Sequence, residues 1–177
     1  MTDKIDLRID GERFRNVLGH LPTGVTVITA HHRDGPVGMS SNSFTSVSLE
    51  PPLILFCPAK SSATWPKIRE SGSFCVNIFA AHHEQASRQF SRVGVDRFAG
   101  VSWHERAAGP ALDDALAWIE CTIDAEHEAG DHLIVVGAVR LLEVREGEVE
   151  PLVFFRGQYG SFLGQGDSVR SPGDRES

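Results

Sequence analysis

Residues 117–126 alternate strictly: Ile119, Cys121, Ile123 and Ala125 are interleaved with Glu120, Thr122, Asp124 and Glu126. Successive side chains of a strand point to opposite faces, so this period of two predicts a half-exposed antiparallel strand with its apolar set turned inward. Residues 133–139 then run apolar without alternation. A strand of that kind is covered on both faces, by the core within and by a helix or a second subunit without.

The rest of the chain supports a β architecture. Asp10 is placed to cap a short helix carrying Phe14, Val17, Leu18 and Leu21 on one face, with Pro22 marking its end. Residues 25–29 read as a strand, 33–36 as a turn, and 37–48 as a second, longer polar strand or strand-loop. Pro51-Pro52 leads into a short apolar strand at 53–57, and Ser61 or Ser62 can cap a helix bearing Trp65 and Ile68 that Gly72 closes. A strand at 74–79, a polar helix from about His82 to Phe90 and a last strand at 152–155 complete the reading. About seven strands against two or three short helices, with no repeating strand-helix-strand order, predict a mainly antiparallel β-barrel and not a doubly wound sheet. One domain spans residues 1–163, and the Gly-, Ser-, Asp- and Arg-rich residues 164–177 are expected to be a disordered tail.

Composition narrows the function. The 177 residues hold 17 Lys and Arg against 24 Asp and Glu, a formal charge of −7 that argues against a nucleic-acid partner. No apolar stretch approaches the roughly 20 residues of a membrane span, and residues 1–10 offer no signal-peptide core, so no membrane association and a cytoplasmic location are expected. Cys57, Cys75 and Cys121 are widely spaced without a C-x-x-C pair, as buried free thiols would be. No metal site is expected. His31-His32 and His82-His83 are adjacent pairs, adjacent histidines on a strand point to opposite faces, and neither these residues nor His127 and His132 match a zinc helix or finger spacing. Ser161 lacks a G-x-S-x-G elbow, which disfavours a hydrolase.

Neither G-x-G-x-x-G nor G-x-x-x-x-G-K-[ST] is present, so a nucleotide would have to be held by other means. The stretch from Gly38 to Ser48 offers such means. Its small polar residues let backbone N–H groups approach a planar ring or phosphate while hydroxyls add further bonds, although the same composition also suits a solvated strand.

Four segments decide between these. Pro22-Thr23-Gly24-Val25-Thr26-Val27, the run Asn42 to Leu53, Phe74-Cys75-Val76-Asn77-Ile78 and Gly130-Asp131-His132 resemble, in order and spacing, the successive signatures of the flavin reductase-like family. The resemblance runs from about Phe14 to Gly160. It implies an antiparallel split β-barrel of the FMN-binding type, usually a homodimer, that transfers hydride from NADH or NADPH to FMN or FAD and supplies the reduced flavin to a separate oxygenase component.

The resemblance also distributes roles. Thr23, Gly24 and Val25, with Gly38, Met39, Ser40, Ser43, Phe44, Thr45, Ser46, Val47 and Ser48, would line the flavin. Lys60, Ser61 and Ser62 would meet its phosphate, in accord with the affinity of a serine-capped helix start for anions. His132 would position the nicotinamide nucleotide and is the candidate catalytic residue. Tyr159 could stack on a ring, while Phe90, Arg92 and Arg88 could reach the distal phosphate or adenine, or equally form a solvated turn. The absence of a basic cluster suited to a 2′-phosphate favours NADH. The rival reading is a flavin-holding module that stores or carries electrons without nicotinamide.

Overall fold

The computed structural model describes residues 10–147 and 149–162. The expected disordered tail, residues 164–177, lies outside the described residues. Helix α1 (Gly11–Leu18) is followed by strands β1 (Thr23–Gly24), β2 (Thr26–His32), β3 (Gly35–Ser41), β4 (Thr45–Leu49) and β5 (Pro52–Phe56). Next come α2 (Trp65–Ser71), β6 (Ser73–Ile78), a 3-10 turn (Ala81–His83), α3 (Glu84–Ser91) and the short pair β7 (Trp103–His104) and β8 (Ala111–Leu112). The long hairpin of β9 (Ala117–Ala129) and β10 (His132–Val144) precedes β11 (Leu152–Phe155) and β12 (Gln158–Ser161). Every strand pairing is antiparallel.

Seven strands bond in the order β3-β2-β6-β9-β10-β5-β4. The two edges of that order, β3 and β4, are consecutive in sequence and separated only by Asn42, Ser43 and Phe44. Such a link spans on the order of 13 Å at full extension. The edges therefore lie close together, and the sheet is rolled into a barrel whose last seam carries no strand ladder. Ser43 laces that seam, its Oγ accepting from the backbone N–H of Cys57 at 2.8 Å and sharing a hydrogen bond with Ser41 Oγ at 3.1 Å. The single polar element expected at 37–48 is thus two strands. Hydroxyl groups replace ladder bonds at the crossing, and no break in hydrophobic period announces it.

The core sits inside the barrel and is closed by α2, which packs on β2, β3 and β6. Phe56 meets Trp65 and Phe74 edge to face at 5.5 and 5.3 Å, and Ile28, Ile68, Val76 and Val135 fill the space between. Gly72 ends α2 at φ +73°, the left-handed turn that its position predicts. A second cluster, formed by Val25, Val27, Phe79, Phe90, Leu112 and Leu152, gathers α3 and the small sheet β1-β11-β12.

Three expectations change. In β9, Glu120 is buried, because the backbone N–H of Ala108 donates to it at 3.0 Å and Arg106 lies 3.7 Å away, so alternation misplaces it on the solvent side. In β10, Leu133, Val135 and Gly137 face inward while Ile134, Val136 and Ala138 are only half-buried, so the described residues of one chain do not supply the expected outer cover. Asp10 does cap α1, accepting from Arg13 N at 2.7 Å, but the helix stops at Leu18, before Pro22. Its apolar residues Phe14, Val17 and Leu18 remain 53–59% exposed.

Candidate functional site

Two adjoining cavities follow from this layout. The larger, of about 610 Å³, lies between β3, the 59–64 run and the segment after α3, and is lined by Gly38, Met39, Ser40, Ser61, Ser62 and Phe90 among others. The smaller, of about 170 Å³, is lined by Val25, Ser40, Ser41, Asn42, Ser91, Phe154 and Tyr159. Ser40 and Ser91 border both.

The expected site residues assort accordingly. Thr23 and Gly24 form β1 against Phe154 and Val153, and Val25 is buried beside them. Thr23 Oγ1 is buried with no hydrogen-bond partner among the described residues. An unpaired buried hydroxyl costs about 1–3 kcal/mol, and Thr23 borders neither cavity. Gly38 gives β3 its close approach to α3. A Cβ there would stand 2.7 Å from Phe90 Cε1, so the flat edge of Phe90 packs directly on the strand. Ser43 is committed to the seam and Phe44 packs against the barrel core. Thr45, Ser46 and Val47 continue along β4 as exposed residues, with Ser48 half-buried, and line neither cavity of a single chain.

Ser61 and Ser62 border the larger cavity. The N-cap of α2 is Thr64, without a side-chain cap bond, and not the expected Ser61 or Ser62; Ser62 Oγ instead accepts from Thr64 N at 3.3 Å and Trp65 N at 3.1 Å from the turn ahead of the helix, so those two N–H groups are already engaged. Lys60 Nζ pairs with Glu128 at 3.2 Å, while its backbone N–H donates to Asp131 O at 2.9 Å. Ala59 also bridges His132. The hairpin tip bearing Gly130, Asp131 and His132 is therefore fastened to the run that carries Ser61 and Ser62. His132 is exposed, and its Nδ1 lies 2.8 Å from Asp131 Oδ1. That contact holds the Asp131 carboxyl below its ordinary range and directs Nδ1–H to the carboxylate, leaving Nε2 toward solvent.

Tyr159 borders the smaller cavity, with its hydroxyl 2.9 Å from Ser87 Oγ and the Arg88 guanidinium 4.7 Å above its ring. One face is thus taken, which limits stacking to the other. Arg92 is exposed at the end of α3 and borders neither cavity.

Several residues at the site were not singled out from sequence. Ser87 is fully buried on α3 and joins Ser40 at 3.1 Å to Tyr159, making a chain of three hydroxyls along the boundary of the two cavities. Arg97 donates to Gly38 O at 2.7 Å, Thr64 Oγ1 at 2.6 Å and Arg92 O at 2.9 Å. A serine on a polar helix leaves no trace in periodicity. Arg97 had one: it follows Val93 and Val95, apolar residues in a segment otherwise of turn character.

Hydroxyls along two adjoining cavities, the larger of ligand size, fit a planar ring with a phosphorylated tail. Comparison with known proteins gives the same direction. The family model described as flavin reductase like domain matches residues 18–163. The chain is 46% identical over 154 residues to the reductase subunit HsaB of a flavin-dependent monooxygenase from Mycobacterium tuberculosis, covering 86% of this chain and 82% of that one. It is 44% identical over 153 residues to the FMN reductase (NADH) SmoA of Agrobacterium fabrum, covering 86% of each. The solved structure of the Streptomyces globisporus NADH:FAD oxidoreductase SgcE6, in complex with NAD and FAD fragments, superposes with a TM-score of 0.83 at 37% identity, covering 89% of this chain and 96% of that one.

Proposed function

The chain belongs to the flavin reductase-like family, and we propose that it transfers hydride from NADH to a flavin and releases the reduced flavin to a separate monooxygenase component. The observation that carries this reading is the hydroxyl-bordered pair of cavities with the 130–132 hairpin fastened beside them. Bound flavin supplies the hydride-accepting chemistry. The residues of this chain bind and orient. Ser40, held by Ser87 and Tyr159, offers a fixed hydroxyl at the meeting of the cavities, and Asn42 borders the smaller one. Ser61 takes the phosphate side, with Ser62 shaping the loop. His132 presents Nε2 to the nicotinamide nucleotide and acts as a positioning group, since hydride transfer needs alignment and close approach and no acid–base dyad.

Two copies pair in this reading. Phe14, Val17 and Leu18 of α1, Leu49 of β4 and Leu142 and Val144 of β10 are 53–94% exposed among the described residues, and the pairing would bury them. The working unit comprises residues 1–163. A cytoplasmic setting suits a reductase that draws on NADH, and among the described residues no helix is long and apolar enough to cross a membrane.

Steady-state oxidation of NADH by the purified chain, with and without added FMN or FAD, tests the proposal. Turnover that depends on flavin is expected. Tight flavin binding without oxidation of NADH or NADPH would replace the reductase with an electron-carrying or flavin-storing module.

A further inference from the structure

One buried residue stands behind the wall where the two cavities meet. Ser87 of α3 is 0% exposed and lines neither space. Its Oγ lies 3.1 Å from Ser40 Oγ on β3 and 2.9 Å from Tyr159 Oη on β12, and its carbonyl accepts from Ser91 Oγ at 2.9 Å. Ser40 and Ser91 border both cavities and Tyr159 the smaller. Three polar side chains of the wall thus converge on one residue behind it.

The protons of this chain are counted easily. Three hydroxyls carry three protons and the two links between them use two, so one proton is left over at an end. A phenolic O–H is a better donor than an alcoholic one, which favours Tyr159 donating to Ser87 and Ser87 donating to Ser40. Tyr159 is itself held in place, with the Arg88 guanidinium 4.7 Å from its ring centroid and Arg88 tied to Glu84 at 2.8 Å. In that direction the spare proton sits on Ser40, and each donor polarises the next. Ser40 borders both spaces, so it offers this donor whichever of them receives the flavin ring.

We propose that Ser87 is a positioning residue for hydride transfer: it accepts from Tyr159 and holds the Ser40 hydroxyl as a donor into the site. The proposal rests on the reductase reading. Hydride brings two electrons and one proton, so negative charge develops on the ring as it arrives. A preset donor strengthens with that charge and adds little to the binding of the oxidised ring. Ser87 therefore acts on the rate of reduction more than on affinity.

The test is single-turnover reduction of flavin bound to the full chain at saturating NADH, for Ser87→Ala, Ser40→Ala, their double variant and Tyr159→Phe. Alanine suits a helix interior and is close to serine in size, so Ser87→Ala removes the hydroxyl and little else. It is expected to slow reduction about tenfold while flavin Kd and KM for NADH stay within about twofold of the native chain. Ser40→Ala is expected to match it, and the double variant to lose no more than about twofold beyond either single change. Tyr159→Phe, which leaves α3 intact, is expected to slow reduction about threefold. Losses that multiply in the double variant would overturn the coupling, as would a Ser87→Ala chain that binds flavin or NADH more weakly yet reduces at the native rate. A Tyr159→Phe variant as fast as the native chain would overturn the direction given to the hydroxyls. A native chain that binds flavin without oxidising NADH or NADPH would instead overturn the reductase reading, and this proposal with it.

Discussion

His132 and His83 show how much a single imidazole depends on what surrounds it. His132 stands exposed on the hairpin with Asp131 fixing its tautomer, so removing it disturbs no core. His132→Ala is expected to raise KM for NADH about tenfold while flavin affinity stays within twofold, the pattern of a lost positioning contact, read by initial rates over both substrates. His83 is half-enclosed, stacked on Phe79 at 4.6 Å; its Nδ1 accepts from Ala80 N and its Nε2–H donates to Asp113 O, both at 3.2 Å. Burial, and then the neighbouring His82, lower its pKa from the ordinary 6.5. The unfolded chain therefore binds this proton more readily than the folded one, so the contribution is complete above the ordinary value and declines as pH falls through it toward the folded value. The urea midpoint is expected to be lower at about pH 5.5 than at about pH 7.5, with a smaller difference in His83→Gln.

Among the elements, α2 illustrates what local chemistry can and cannot specify. Trp65, Ile68 and Gly72 mark the buried face and end of this helix as the sequence suggests, while Ser62 holds the Thr64 and Trp65 N–H groups from the turn ahead of the N-cap, Thr64. Ser62→Ala removes the acceptor for two N–H groups and is expected to cost about 1 kcal/mol in chemical denaturation. β9 is legible as a strand because period-two patterning reports the pleat, and β10 as an unbroken apolar run of strand length. Where a strand ends against an unseen partner, patterning fails. Glu120 looks solvent-facing until Arg106 and Ala108 arrive from a distant loop, and the serines at 40–48 give no sign that Asn42 is where the chain crosses from one sheet edge to the other. The site divides likewise. Segments 23–25, 38–40 and 61–62 carry their chemistry in their own residue types, whereas Ser87, Gln89 and Arg97 matter only through the elements that they join.

At the scale of the molecule, the exposed apolar residues of α1, β4 and β10 are where the proposed pairing would rest. Size-exclusion chromatography with light scattering is expected to give a dimer, and Leu18→Lys with Leu142→Lys to shift it toward monomer; a native monomer would refute the pairing. The seam at Asn42–Phe44 has a temporal consequence. Leu55 on β5 finds its partner in Val136 on β10, so the β4–β5 hairpin must wait for most of the chain before it is anchored, tethered meanwhile to β3 by three residues. Refolding should be governed by this long-range docking and be slow for the chain's size. The smaller cavity borders the seam at Asn42, so a flavin bound there favours the folded form. Adding it during refolding should raise the yield of native protein by mass action, making the nucleotide a folding partner as well as a reactant.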